Sequence, residues 1–435
     1  MIEAAKEEVR EEGDGDGGEL EEGEEKMEVG SAAVTDEGKD ELSIYRLDDY
    51  DNDESGLPGV GNIVYDADIV NDPNLVGGDE DSEEDEDFQI RRTDNLVLVG
   101  KTEEDMCSLE VQVYDDDNAA LYVHHEILLS AFPLALAWSP AHPKEDKRGN
   151  FCAIGTFKPE IELWDLDVVG AMDPVLTLGG EVEAKKSGKK GKKGKKKQLF
   201  NWKEGSHKNA VLSLSWNPTS VHHLASGSAD NTVKVWDVSR EACVATLAHH
   251  SDKVQSVEWS TEEAYALLTG GFDQTLHVAD ARQGDESKTV QWSIHEPIEC
   301  CHWDPCNPPA FAVSTEAGNV FYYDARKPGT EPFLRIQAHD KQCTSFSFQR
   351  QIPGMLITSS VDATVRVWDV NVGEGTANLV DGRPMDIGAI FNVSASPDLP
   401  FIIAAGGSED IVGIWDMQEK DSIKKVFGGR VKEDE

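Results

Sequence analysis

The sequence predicts an all-β fold, a seven-bladed propeller preceded by an acidic arm, and three observations lead there. An aromatic or apolar residue followed by Asp closes an alternating stretch seven times, at Tyr114-Asp115, Trp164-Asp165, Trp236-Asp237, Ala279-Asp280, Tyr323-Asp324, Trp368-Asp369 and Trp415-Asp416. The intervals between those Asp residues are 50, 72, 43, 44, 45 and 47, a spacing that suits one four-stranded blade per repeat. The stretches between them alternate β-branched or aromatic residues with polar ones, as half-buried strands do. Length alone, 435 residues, would suggest two or three domains of ~150 residues each. Seven repeats make one circular domain instead, expected over residues 93–430.

Residues 1–92 carry 33 acids against 7 bases, much of the chain's net charge of −44. Such a segment buries too little apolar surface to offset chain entropy and is expected to be largely disordered. Its densest part runs from Asp79 to Asp87, interrupted only by Ser82. The run suits docking to basic proteins. Ser82, with acids at the next three positions, is a candidate phosphosite for an acidophilic kinase.

Within the propeller, the repeat ending at Trp236 shows how a blade is built. Val211 to Trp216 reads as an inner strand, and Asn217-Pro218 turns the chain. Leu224 to Ser228 is a strand of small residues, Ala229-Asp230-Asn231 a tight turn, Thr232 to Trp236 a β-branched strand, and Cys243 to Leu247 an outer strand. The repeat ending at Trp368 follows the same plan. This resembles the WD-repeat pattern, which implies a buried hydrogen-bond chain of His, Ser or Thr, Asp and Trp in each complete unit. His207, Ser226, Asp230 and Trp236 fit it, as do His339, Thr358, Asp362 and Trp368. His250 and Asp273 fit in part, because Ala279 stands where Trp would close the unit.

The long interval holds an insertion, expected at residues 181–200. It carries nine lysines: Lys185, Lys186, Lys189, Lys190, Lys192, Lys193, Lys195, Lys196 and Lys197. Gly and Lys offer nothing to pack, so an exposed loop is expected, serving as a nuclear or nucleolar address and a local RNA contact through phosphates.

Enzyme signatures fail. The recurring His–Asp–Ser letters belong to the repeat rather than to a triad. His295-Glu296 is followed by Pro297 and no second His at the required spacing. The Gly-Lys run lacks the Ser or Thr of a phosphate loop. Cys300, Cys301, His302 and Cys306 do not show zinc-ligand spacing and read as reduced thiols on a strand. No catalytic residue, cofactor or metal is expected. No apolar run approaches the ~20 residues of a membrane helix, and no secretory signal opens the chain; a soluble intracellular protein without a membrane partner is expected.

A narrower resemblance rests on the acidic tail with Tyr45-Arg46-Leu47-Asp48-Asp49-Tyr50-Asp51, on Ser108 to Tyr114, on Tyr122-Val123-His124-His125-Glu126-Ile127-Leu128-Leu129-Ser130, on Glu160 to Asp167 before the Lys run, and on Pro397 to Ile402. From about Glu41 to Arg430 the chain resembles the periodic tryptophan protein 1 family. The resemblance implies a nuclear and nucleolar scaffold in ribosome biogenesis, linked to ribosomal RNA transcription and processing and to chromatin. Expected partners are pre-ribosomal assembly factors, basic ribosomal proteins and pre-rRNA at the Lys loop. Alternatives are a histone-binding regulator of ribosomal DNA transcription, or a substrate receptor of a cullin-type ubiquitin ligase contacting its adaptor through Asp324 and Arg326. One departure stands out. Family members look as though they begin with a short apolar, Trp-containing strand, whereas this chain opens Met1-Ile2-Glu3. The first blade, with strands at Leu96–Val99 and Leu109–Tyr114, therefore lacks a clear inner strand. Unless the sequence starts short of that strand, closure is expected from Phe88-Gln89-Ile90 or from Ile423 to Phe427.

Overall fold

A computed structural model describes residues 90–432 apart from 92, 105, 146, 183–201 and 283–288. Contacts divide the chain into Met1–Gly78 and Asp79–Glu435, and every described residue belongs to the second unit. The acidic segment up to Gln89, Ser82 and the nine loop lysines lie outside the described residues.

The described chain is a seven-bladed β-propeller, each blade one antiparallel sheet. The first holds β1 (Asn95–Glu103), β2 (Met106–Asp115) and β3 (Ala120–Leu129); the second holds β4 (Pro133–Ala141), β5 (Arg148–Thr156), β6 (Ile161–Asp165) and β7 (Leu176–Leu178). The third comprises β8 (Val211–Trp216), β9 (His223–Ser228), β10 (Val233–Asp237) and β11 (Ala242–Leu247). The fourth has β12 (Val254–Trp259), β13 (Ala266–Gly271), β14 (Thr275–Asp280) and β15 (Val290–Ser293). The fifth has β16 (Ile298–Trp303), β17 (Ala310–Thr315), β18 (Asn319–Asp324) and β19 (Leu334–Gln337). The sixth runs β20 (Cys343–Phe348), β21 (Met355–Ser360), β22 (Thr364–Asn371) and β23 (Thr376–Pro384). The seventh keeps β24 (Ile390–Ala395), β25 (Ile402–Gly407) and β26 (Val412–Asp416).

Blades cohere by sharing side chains. Ala153, Ile161 and Leu163 of the second blade pack with Val211, Leu224 and Trp236 of the third, and similar clusters join each later pair up to the seventh. Inner strands are also laced together by polar side chains. Ser213 accepts from the Val257 N–H at 3.0 Å, Ser256 from the Cys301 N–H at 3.0 Å, and Ser347 from the Ala395 N–H at 3.1 Å. Small residues in the second strand let the next blade approach. A Cβ on Gly227 would sit 3.0 Å from Val254.

The expected closing segment at the C-terminus is corrected. Ile423 to Phe427 lies in a helix, α1 (Asp421–Phe427), not a strand. Its apolar residues Ile423, Val426 and Phe427 fall at i, i+3 and i+4, one helical face, and join the cluster of the sixth and seventh blades. Of Phe88-Gln89-Ile90 only Ile90 is described; it is outside any strand and packs beside Leu109, Val111 and Trp164.

Candidate functional site

Both complete His–Ser/Thr–Asp–Trp sets are brought together as chains. In the third blade, Trp236 Nε1–H donates to Ser226 Oγ at 2.8 Å, Ser226 Oγ and His207 Nε2 are 2.7 Å apart, and His207 Nδ1 lies 3.1 Å from Asp230. In the sixth, Trp368 Nε1–H donates to Thr358 at 3.1 Å, Thr358 meets His339 Nε2 at 2.9 Å, and His339 Nδ1 meets Asp362 at 3.1 Å. Burial lowers the pKa of both imidazoles, only partly offset by the Asp partner. For Asp230, burial opposes ionisation but is outweighed by bonds from His207, Thr232 and the Lys208 N–H, so it stays ionised. A neutral His carrying Nδ1–H satisfies every link: Ser226 gives its proton to Nε2, and Nδ1–H points at Asp230. Ser226 and His207 are fully buried. The hydroxyl is thus enclosed and engaged on both sides, as a structural pin rather than an attacking group.

The His207 pin also fixes the root of the Lys insertion. The Gly180 N–H donates to Ser206 Oγ at 2.9 Å, and Ser206 donates on to the His207 carbonyl at 2.8 Å. Glu181 and Trp202 form an isolated antiparallel bridge across the base. The insertion therefore leaves the propeller between β7 and β8, beside the turn that carries Asp230.

The partial unit differs. Ala279 provides no indole, and His250, bonded to Asp273 at 3.0 Å and Thr269 at 2.9 Å, is joined by His249 and His277. The three rings lie 4.5–4.8 Å apart. Burial first, then the charge of its His neighbours, pushes His249 down to about 3 and His277 down to about 4. Sequence reading found His250 and Asp273 but missed this trio, because His277 is separated from His249 by two strands.

Cys300 and Cys301 lie on β16 as free thiols. Cys300 Sγ is 3.1 Å from His302 Nε2, and His302 Nδ1 is 3.1 Å from Glu258. Among the described residues no cluster has the makings of a metal site. Arg326 holds Asp324 through Nε and Nη2 at 2.9 and 2.8 Å, so its guanidinium is folded back on its own strand end while remaining exposed.

The surface feature that sequence reasoning missed is apolar. Among the described residues, twelve of the nineteen exposed large apolar side chains fall between Met106 and Val182, on or beside the first two blades. Tyr122, Val123 and Leu128 stand out from β3, which is 52%, 51% and 64% exposed at those positions. A bulge between Val111 and Gln112 leaves His124 unpaired in the ladder, while Tyr122 and Val123, paired in unbroken register with Val113 and Gln112, are both exposed on this outer strand. Phe132 and Phe157 form an exposed edge-to-face pair 5.6 Å apart. The outer edge of β3 is ten residues long and pairs with no described strand, an unusual liability unless a partner covers it.

Comparisons with known proteins agree with this architecture. The family model described as WD domain, G-beta repeat matches residues 197–237, 241–280 and 330–369. The periodic tryptophan protein 1 homolog of Drosophila melanogaster is 32% identical, over 91% of this chain and 82% of its own length. Periodic tryptophan protein 1 of Saccharomyces cerevisiae is 30% identical over 89% of this chain and 77% of its own. A 50-residue stretch is 42% identical to a protein of Chlamydomonas reinhardtii named ribosome biogenesis protein WDR12 homolog, covering 12% of this chain and 11% of that one. With two relatives at or above 30% identity along nearly its whole length, the chain belongs to the periodic tryptophan protein 1 family.

Proposed function

We propose that the chain is a non-enzymatic scaffold in nuclear and nucleolar ribosome biogenesis, holding pre-ribosomal proteins on a rigid propeller. The observation that carries the reading is the concentration of exposed apolar side chains on the first two blades, among them Tyr122, Leu128, Phe132 and Phe157. Affinity in protein complexes concentrates in such apolar and aromatic anchors, and a long edge such as that of β3, which pairs with no described strand, can accept a partner strand. The enclosed hydroxyls of Ser226 and Thr358 favour scaffold over catalyst. In this reading the acidic residues 1–92, with Ser82 as a phosphosite, speed encounters with basic assembly factors and ribosomal proteins. The nine lysines of the insertion provide the nucleolar address and a contact to pre-rRNA.

The test is affinity purification of the full chain and of a Tyr122→Asp/Leu128→Asp variant, followed by mass spectrometry and crosslinked-RNA sequencing. Loss of two anchors of ~2 kcal/mol each is expected to reduce recovered pre-ribosomal proteins at least tenfold while the melting temperature stays unchanged. Recovery of histones alone, or of ligase subunits lost on Arg326→Ala, would replace this reading by one of its alternatives.

A further inference from the structure

The inner strands of neighbouring blades are laced by one repeated contact, and it is built differently between the fourth and fifth blades. Elsewhere the fifth side chain of an inner strand is a serine that accepts the N–H of the sixth residue on the next inner strand. Ser215 accepts from Trp259 at 3.2 Å, and Ser347 from Ala395 at 3.1 Å. On β12 the fifth residue is Glu258, which accepts the Trp303 N–H through Oε2 at 2.5 Å. A serine brings one oxygen to this place and a carboxylate brings two. The second, Oε1, holds His302 Nδ1 at 3.1 Å.

His302 and Cys300 are two residues apart on β16 and share one face of the strand. The imidazole stands between carboxylate and thiol, with Nε2 3.1 Å from Cys300 Sγ. Phe346 of β20 packs edge-to-face against the ring at 5.2 Å and fixes its plane. One ring nitrogen for each partner is the order of orienting group, base and nucleophile, not a set of ligands converging on an ion. Desolvation opposes a charged imidazole here, but Cys300 and Glu258 outweigh it and raise the His302 pKa well above its ordinary value. The ring therefore takes up a proton from the sulfur readily, and the thiolate is the reactive form of a cysteine.

The other six cysteines are placed differently. Burial raises the thiol pKa of Cys152, Cys301, Cys306 and Cys343. Cys107 contacts the Thr102 hydroxyl, and Cys243 the Ala245 carbonyl and the Thr246 hydroxyl. Among the described residues none of the six is hydrogen-bonded to an imidazole. Cys300 is half-buried, and the side chains of His302 and Glu258 are 35% and 26% exposed, so a small solute can reach the group from the channel that inner strands surround. Across the ladder from Cys300 is Ser314 of β17, and opposed residues point to the same face of a sheet. Ser314 is fully buried. Its hydroxyl faces the Cys343 thiol but completes no hydrogen bond among the described residues. A buried hydroxyl left so is uncommon, and an oxygen placed on the Cys300 sulfur supplies the acceptor it lacks.

We propose that Cys300 is an oxidation site for small hydroperoxides, with His302 as its base and Glu258 as the residue that positions His302. With hydrogen peroxide, His302 Nε2 takes the thiol proton and the sulfur attacks one peroxide oxygen. The S–O bond forms as the O–O bond breaks, and the departing hydroxide takes the proton from His302 and leaves as water. The sulfur gives up two electrons to the peroxide, and Cys300 becomes a sulfenic acid whose oxygen gains Ser314 as a donor. The reaction consumes one thiol and one peroxide and is a modification of the propeller, not a turnover.

The experiment treats the folded full chain with limiting hydrogen peroxide in the presence of dimedone, which traps sulfenic acids, and measures trapping at each cysteine by peptide mass spectrometry. Cys300 is expected to be trapped at least ten times faster than Cys243 or Cys306, which are also half-buried. His302→Gln removes the base, and Glu258→Gln keeps an acceptor for the Trp303 N–H while removing the charge. Each is expected to slow trapping at Cys300 at least tenfold and to leave Cys243, Cys306 and the melting temperature unchanged; a general loosening of the fold raises or lowers all three cysteines together. Equal rates at Cys300, Cys243 and Cys306 in the wild-type chain overturn the proposal. So does undiminished trapping at Cys300 in His302→Gln, and an undiminished rate in Glu258→Gln overturns the positioning role.

Discussion

Trp236→Ala should cost the propeller about 3–5 kcal/mol, the range for removing a buried large aromatic side chain. Two losses coincide at this position. The indole is 1% exposed and packs against Ile161, Leu163, Leu178, Val211 and Leu224 across the interface of two blades, so its removal leaves a cavity that two rigid sheets cannot close. Its Nε1–H is also the donor that completes the chain through Ser226 to His207 and Asp230. Trp236→Phe separates the two effects: most of the volume remains while one buried hydrogen bond is lost, a cost of about 1–2 kcal/mol. Trp138→Ala supplies the contrast, since that exposed indole should change stability by no more than about 0.5 kcal/mol. Urea unfolding followed by fluorescence measures all three. Equal midpoints for Trp236→Ala and Trp138→Ala would show that the His-to-Trp chain does not hold the blades together.

The contrast between those two tryptophans also marks what can be read from the sequence. The Trp–Asp closures lie at fixed intervals, and each complete unit carries its own His, Ser or Thr and turn Asp, so the blades and both complete hydrogen-bond chains are legible locally. Ile423 to Phe427 is ambiguous because a short apolar segment can be read with either period. Its i, i+3, i+4 spacing shows only once one face has a cluster to join. The exposed surface is hidden for another reason. The residues of β3 are ordinary strand formers, and only its place at the outer edge of the described sheet leaves Tyr122 and Val123 both exposed. Edge position is a property of the order of strands in a sheet and has no signature in the strand itself. The histidine trio is hidden likewise, since His249 and His277 meet through the sheet and not along the chain.

That trio makes stability fall in mild acid. His249 and His277 titrate at about 3 and about 4 in the folded chain, against ~6.5 when exposed. A folded pKa below the unfolded one means that the unfolded chain binds protons first. The stability associated with neutral His is therefore complete above pH ~6.5 and lost as pH falls toward the folded values. His207 and His339, lowered by burial, act with the same sign. Asp273, kept ionised by His250, Thr275 and the Ser251 N–H against the cost of burial, adds to the loss only below the usual carboxylate range. Between pH 7.5 and 5 the two trio members together should cost about 2–4 kcal/mol, from 1.36 kcal/mol per unit and per group with allowance for their mutual coupling. Acid also neutralises carboxylates of this strongly anionic chain and relieves self-repulsion, so the comparison must be made against a variant with the same surface. His277→Gln is that variant: it keeps an amide near Thr275 while removing one titrating ring and one source of repulsion on His249. Its unfolding free energy is expected to fall roughly half as far as wild type over the same pH range. If both proteins lose the same stability between pH 7.5 and 5, the histidines are not the cause and the acid sensitivity lies elsewhere in the fold.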